Sequence, residues 1–241
     1  MRSLKGKTGL VTGAAKRIGR SVALALAKEG ADVAITYRSS EAEAQATVAT
    51  IREFGVRAMA VYCDLGDPAC VRRAVDATIG KLGKIDLLVN NAGMFETLPL
   101  ESIALEQWDA MLNTNTRGPF LMAQAAHAEL KQRQGRIVNI GSLGGLHPWA
   151  THGHYCVSKA AVHMLTKTMA KAWAPELSVN CVAPGMIVNG EVDPDYEHFA
   201  EKTPMRRNST PEDVAAAVLF FATGPRFITG QVLSVDGGLG L

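Results

Sequence analysis

Short, nearly continuous apolar runs alternate with longer helical stretches from one end of the 241-residue chain to the other. The runs are KTGLVTG (7–13), ADVAITY (31–37), RAMAVYCD (57–64), KIDLLVNNAG (84–93), GRIVNIGS (135–142), LSVNCVAPG (177–185) and GQVLSVDGG (230–238). Between them lie helical patterns: 18–30 stopped at Gly30, 41–55 ending at Gly55, 68–83 opened by Pro68, and 106–132 as one or two helices. A long helix follows at 154–174 and a capped one at 210–223. Strands that are apolar throughout belong to a parallel sheet covered on both faces. The expected architecture is a doubly wound α/β fold, a Rossmann-type three-layer sandwich, with ligands at the carboxyl ends of the strands. Residues 1–241 form one domain of ample core, and the irregular stretch 186–209 reads as a substrate lid.

Composition excludes several classes. A net charge of +2 argues for neither nucleic acid nor membrane binding, and 6% aromatic residues make a poor base-stacking platform. Cys63, Cys70, Cys156 and Cys181 show no C-x-x-C spacing and no histidine cluster, so no metal site is expected and they read as reduced core or helix residues. No run approaches the ~20 apolar residues of a membrane span and none near the N-terminus has signal-peptide length, so the expected location is cytoplasmic.

TGAAKRIGR (12–20) joins the first strand to the first helix. Gly13 permits a tight turn, and Gly19 permits close backbone approach to a pyrophosphate at the helix N-terminus. Arg17 stands where such a loop carries its middle glycine, which is tolerable if its φ is negative. NNAG (90–93) ends the fourth strand, where Gly93 allows a ligand close to the backbone. Asp64 ends the third strand, either accepting from an adenine amine or capping the helix at Pro68. The second strand ends in Thr36 and Tyr37 rather than an acid, followed by Arg38, Ser39 and Ser40. With Lys16 nearby, the missing acid and the added cations favour a 2′-phosphate, hence NADP(H), over the ribose hydroxyl of NAD. Arg38 as a solvated loop cation is the plainer alternative.

Tyr155 and Lys159 are four residues apart on a helix and share a face. An ammonium beside a phenol lowers its pKa toward useful acid–base chemistry. Ser142, at the end of the fifth strand, is placed to polarise a substrate carbonyl. Asn115 is placed to hold a water that passes protons to Lys159. Pro184 and Gly185 turn the sixth strand around a nicotinamide.

Taken together, these motifs resemble the short-chain dehydrogenase/reductase family over essentially the whole chain. The resemblance implies a seven-stranded parallel sheet and an Asn115–Ser142–Tyr155–Lys159 tetrad. In it Tyr155 is the general acid, Ser142 orients the carbonyl, Lys159 holds the nicotinamide ribose and Asn115 completes the relay. It puts Gly13, Lys16, Arg17, Ile18, Gly19, Tyr37, Arg38, Ser39, Asp64, Leu65, Asn91, Ala92, Gly93, Tyr155, Lys159, Pro184, Gly185 and Ile187 against NADP(H). It also implies a homotetramer packed through the helices after strands four and five and the C-terminal region.

The activity so implied is NADPH-dependent reduction of a small-molecule carbonyl. Stretches 36–55 and 228–238 are similar to 3-oxoacyl-acyl-carrier-protein reductases, whose acidic carrier would need basic residues such as Arg133 and Arg136. The glycine loop with Arg17, and Phe95 past the NNAG turn, are similar to pteridine reductases, so a dihydropterin is the alternative substrate. A non-catalytic NADP-sensing regulator is the alternative outside enzymes. Phe95 and Trp149 otherwise simply pack, and His147, His152 and His154 otherwise face solvent. Met186, Val188 and Phe199 would form an apolar substrate wall. Asn189 would touch the cofactor carboxamide.

Overall fold

The computed structural model describes residues 4–188 and 194–241, and for 194–197 the backbone alone. Seven strands form one parallel sheet: β1 (Thr8–Val11), β2 (Asp32–Tyr37), β3 (Ala58–Tyr62), β4 (Leu87–Asn90), β5 (Arg136–Ile140), β6 (Ser178–Pro184) and β7 (Val232–Val235). Their order is β3-β2-β1-β4-β5-β6-β7. The chain therefore reverses its winding between β1 and β4, where Val11 faces Ile35 on one side and Val89 on the other. Strand alternation divides the core in two. Val11, Val89, Val138 and Val182 face α1 (Arg17–Lys28), α2 (Glu41–Arg52) and α8 (Pro211–Thr223). Leu10, Leu88, Ile137 and Val179 face α3 (Pro68–Leu82), α5 (Gly118–Gln132) and α6 (Gly153–Ala172).

The helix ends follow their local chemistry, with differences from the sequence reading. Pro68 does open α3, but the cap is Asp67, whose side chain accepts from Ala69 N at 2.8 Å. Asp64 is therefore not the cap; its Oδ1 accepts from Gly66 N at 2.9 Å. The 106–132 pattern is α4 (Leu105–Leu112) and α5 joined by one wide π turn, Asn113–Arg117. Thr210 caps α8, accepting from Asp213 N, and the Asp213 carboxylate accepts from Thr210 N. The segment expected to be irregular, 186–209, holds α7 (Pro194–Lys202). Its two ends are pinned by a bridge, with Val188 N donating to Ser209 O and Ser209 N to Met186 O, both at 3.0 Å. Asn189 and the rest of 189–193 lie outside the described residues. Among the described residues no helix is long and apolar enough to cross a membrane.

Candidate active site

The carboxyl ends of β1 and β4 meet at the winding reversal, where a doubly wound sheet opens a crevice. Asn91, just past β4, clamps the glycine loop through Nδ2, which donates to Thr12 O (2.9 Å) and Gly13 O (3.0 Å). Thr12 returns the contact, its hydroxyl accepting from Asn91 N and Ala92 N. Thr36 Oγ1 accepts from Gly13 N at 3.1 Å. A Cβ on Gly19 would lie 2.5 Å from Asn91 Nδ2 and 2.6 Å from Gly13 O, so only glycine lets α1 start this close to the strands. From sequence Thr36 is read only as standing where an acid would be and Thr12 is not singled out, although a threonine near the end of each of two adjacent strands was the available signal for their part in holding the loop.

Arg17 differs from expectation. Its φ is +55°, in the left-handed region that a non-glycine residue avoids. The loop keeps the shape a glycine would give it and carries the strain of a guanidinium there instead.

The loop floors a cavity of about 380 Å³. Gly13, Lys16, Arg17, Ile18 and Gly19 line it with Tyr37, Arg38, Ser39, Asp64, Leu65, Asn91, Ala92 and Gly93. No carboxylate stands at the end of β2 among them, and Lys16, Arg38 and two serines gather at that end. Lys16 also lies 3.8 Å from Glu43. A second cleft of about 570 Å³ shares Arg17, Ile18, Asn91 and Gly93 with the first, so the two are continuous. Its walls include Ser142, Tyr155, Lys159, Pro184, Gly185 and Ile187. Met186 and Val188 also line it.

Three of the four tetrad residues thus share the second cleft, and Asn115 lies behind it. Lys159 Nζ donates to Ile140 O at 2.9 Å and sits 5.8 Å from the Tyr155 ring centre. Burial lowers its pKa to about 8, partly offset by Cys181. From sequence the ammonium is expected to lower the Tyr155 pKa; instead burial raises it, with a hydrogen bond from Ser142 partly offsetting. The amine sits over the ring face and bonds to a carbonyl, so desolvation outweighs it. Ser142 Oγ accepts from Gly144 N at 3.1 Å. The Asn115 amide is fully engaged: Oδ1 accepts from Met94 N (2.7 Å), and Nδ2 donates to Met94 O (2.9 Å) and Ser158 Oγ (3.0 Å). A water held there would have to use its backbone.

The mouth of the cleft is aromatic. Phe95 stacks on His152 with ring centres 4.8 Å apart and meets Tyr155 edge-on at 4.9 Å. Trp149 lies nearly parallel to Tyr155 at 6.3 Å. Phe95 and Trp149 both line the cleft. His154 does not face solvent: it is fully buried, with Nε2 3.2 Å from Glu96 Oε2. His152 bonds Thr97 and Thr151 through its two ring nitrogens, while His147 is exposed. Arg136 and Arg133 lie at the other end of the sheet. Arg136 opens β5 and donates to Phe221 O and Gly224 O, and Arg133 pairs with Glu129.

A family model described as enoyl-(acyl carrier protein) reductase matches residues 13–240. The chain is 38% identical to a 3-oxoacyl-[acyl-carrier-protein] reductase of Synechocystis, over 99% of both chains. The chain belongs to the short-chain dehydrogenase/reductase family. It is equally 38% identical to 3beta-hydroxysteroid dehydrogenase 1 of Eggerthella lenta, over 99% of this chain and 95% of that one. A short-chain dehydrogenase of Burkholderia cenocepacia, solved in complex with NADP, superposes with a TM-score of 0.94 at 40% identity, covering all of both chains. Two short-chain relatives at equal identity thus carry different substrate names, and overall likeness does not choose between substrates.

Proposed function

We propose that this chain is an NADPH-dependent carbonyl reductase in which Tyr155 protonates the carbonyl oxygen. The observation carrying this reading is the single crevice in which Ser142, Tyr155 and Lys159 open onto the glycine-loop cavity. That cavity fits a dinucleotide. The N-terminus of α1 faces it, Gly19 leaves room that a Cβ would fill, and Lys16, Arg38 and Ser39 suit a 2′-phosphate. Bound there, NADPH supplies the hydride. Tyr155, its pKa raised by burial, stays protonated and ready to donate at neutral pH. Ser142 polarises the carbonyl beside it. Lys159 holds the nicotinamide ribose, and the Asn115 backbone completes a proton relay to it. Residues 1–241 act as one domain with 186–209 as its lid, in a cytoplasmic homotetramer.

A 3-oxoacyl thioester is the leading substrate, supported by the serine at 142 and by the relatives so named. The carrier itself would not be held by Arg133 or Arg136, which sit at the wrong end of the sheet. A dihydropterin is the second reading, favoured by Arg17 facing both cavities and by the exposed Phe95 ring beside Tyr155. NADPH consumption across acetoacetyl thioesters, cyclic ketones and dihydropterins tests both. Tyr155→Phe is expected to abolish turnover and leave NADPH binding nearly intact; unchanged turnover means another residue is the acid. A preference for NADH would overturn the reading of Lys16 and Arg38.

A further inference from the structure

One buried imidazole behind the site has no part in the mechanism above. His163 follows Lys159 by four residues on α6, on the same helix face, and is 5% exposed. Its ring fills a hollow under the turn that carries Ser142. Two glycines of that turn, Gly141 just before the serine and Gly145 three residues after it, lie against the ring, Gly141 also against Cys181 and Gly145 also against the α6 backbone. A Cβ on Gly141 would collide with His163 Nε2 and lie 2.7 Å from Cδ2, and one on Gly145 would lie 2.7 Å from Cε1. Ser142 N donates to His163 Nε2 in a long bond of 3.4 Å. Ser142 Oγ in turn is fixed by Gly144 N, in the same turn.

We infer that His163 is a positioning residue for the Ser142 hydroxyl, acting as a neutral imidazole with Nε2 bare and the proton on Nδ1. The inference rests on the reductase reading above, because it concerns how that site holds its carbonyl-polarising group. The acceptor at Nε2 has to be unprotonated to take the Ser142 N–H. Its surroundings keep the ring neutral, and the Ser142 N–H selects the tautomer in which Nε2 is bare. Burial, then the charges of Lys159 and Lys167, lower its pKa to about 4, with the Gly145 carbonyl partly offsetting. Van der Waals filling alone would not need a nitrogen at this place. A ring wedged between two glycines and bonded to the serine backbone holds the serine at a fixed distance from the phenol. Small misplacements of such a group are costly, about 10²-fold per ångström.

The test compares Ser142→Ala, His163→Leu, His163→Gln and the Ser142→Ala/His163→Leu double variant with the parent, using NADPH and the best ketone. Gln carries an acceptor oxygen where Nε2 stands; Leu fills the hollow without one. His163→Leu is expected to lower kcat about tenfold or more with NADPH affinity held within about twofold, and His163→Gln to recover most of it. The double variant should lose no more than Ser142→Ala alone, since His163 acts through the serine. Parent-like kcat in His163→Leu, or losses that multiply in the double variant, overturn the inference while leaving the reductase intact. If the parent itself reduces no ketone, the reductase reading fails separately. Long-range proton–nitrogen spectra of the labelled full chain judge His163 even then, and even if a variant does not fold. A proton on Nδ1 supports the assignment, and a proton on Nε2 removes it.

Discussion

Lys159 concentrates the conflict between stability and chemistry in one side chain. Its ordinary pKa of 10.5 falls to about 8 because the ammonium is taken out of water. Between those values the unfolded chain binds more protons here than the folded one, so stability rises with pH across that window. Below about 8 the folded state bears the full cost of the buried charge. Lys159→Met is therefore expected to raise the melting temperature at pH 7 while abolishing turnover. The gain is at most about 3 kcal/mol by the size of the shift, less the lost bond to Ile140 O. It should fade as pH climbs past 8, which paired melting curves from pH 6 to 10 would follow; a constant gain would mean that the amine is not desolvated. Arg17 poses a similar choice. Relieving a φ of +55° with Arg17→Gly gains roughly 1 kcal/mol, and the freer unfolded chain gives back a similar amount. The melting temperature should stay nearly level while the KM for NADPH or ketone rises. A large drop in melting temperature would make the guanidinium structural. The sequence made the Tyr155–Lys159 pair legible, because helical spacing alone puts two side chains on one face. The direction of the tyrosine shift was not legible, because it depends on how much water the fold removes.

At the scale of elements, the clearest sequence signals were those written within a few residues. TPED gave the start of α8, and the structure supplies both halves of the box: Thr210 accepts from Asp213 N, and Asp213 accepts from Thr210 N. Thr210→Ala is expected to cost about 1 kcal/mol, measurable by urea unfolding. Arg207 adds a fork of two bonds to the same carboxylate, at 2.6 and 2.8 Å, and holds its pKa well below the usual range. A carboxyl depressed in this way stabilises the fold above its ordinary pKa of 3.8, and that contribution is lost as pH falls toward the folded value. What local reading missed has a common cause. Asp64 and Asp67 are both able to cap; only the path of the chain after β3 decides that Asp67 does. The π turn at 113–117 carries no glycine or proline to mark it, and α7 sits in a charged stretch whose pattern is too short to read. The strands were legible as short runs rich in apolar residues; β1, β2, β4, β5 and β6 are buried almost throughout, whereas the edge strands β3 and β7 are only partly buried.

At the scale of the whole molecule, α6 has one face buried at the site and another that is not accounted for within one chain. Val157, Ala160 and Met164 lie along its outer side, with Val157 and Met164 exposed two turns apart. Phe120 on α5 is also exposed, as are Phe227 and Leu241 toward the C-terminus. Exposed apolar stripes of this kind mark contact surfaces. The homotetramer expected of the family would cover them through isologous contacts, each patch meeting its own copy. Because α6 also carries Tyr155, Lys159 and His163, docking its outer face would stiffen the helix that aims the chemistry. Val157→Glu with Met164→Glu places like charges against each other across such an axis. The double variant is expected to sediment at half the parent mass or less, and its melting temperature to fall and to depend less on protein concentration than the parent's. Turnover per chain should drop with assembly, although neither residue touches the cleft. A variant that keeps the parent mass would place the interface elsewhere, and a parent that sediments as a monomer would leave these side chains without the partner argued for them.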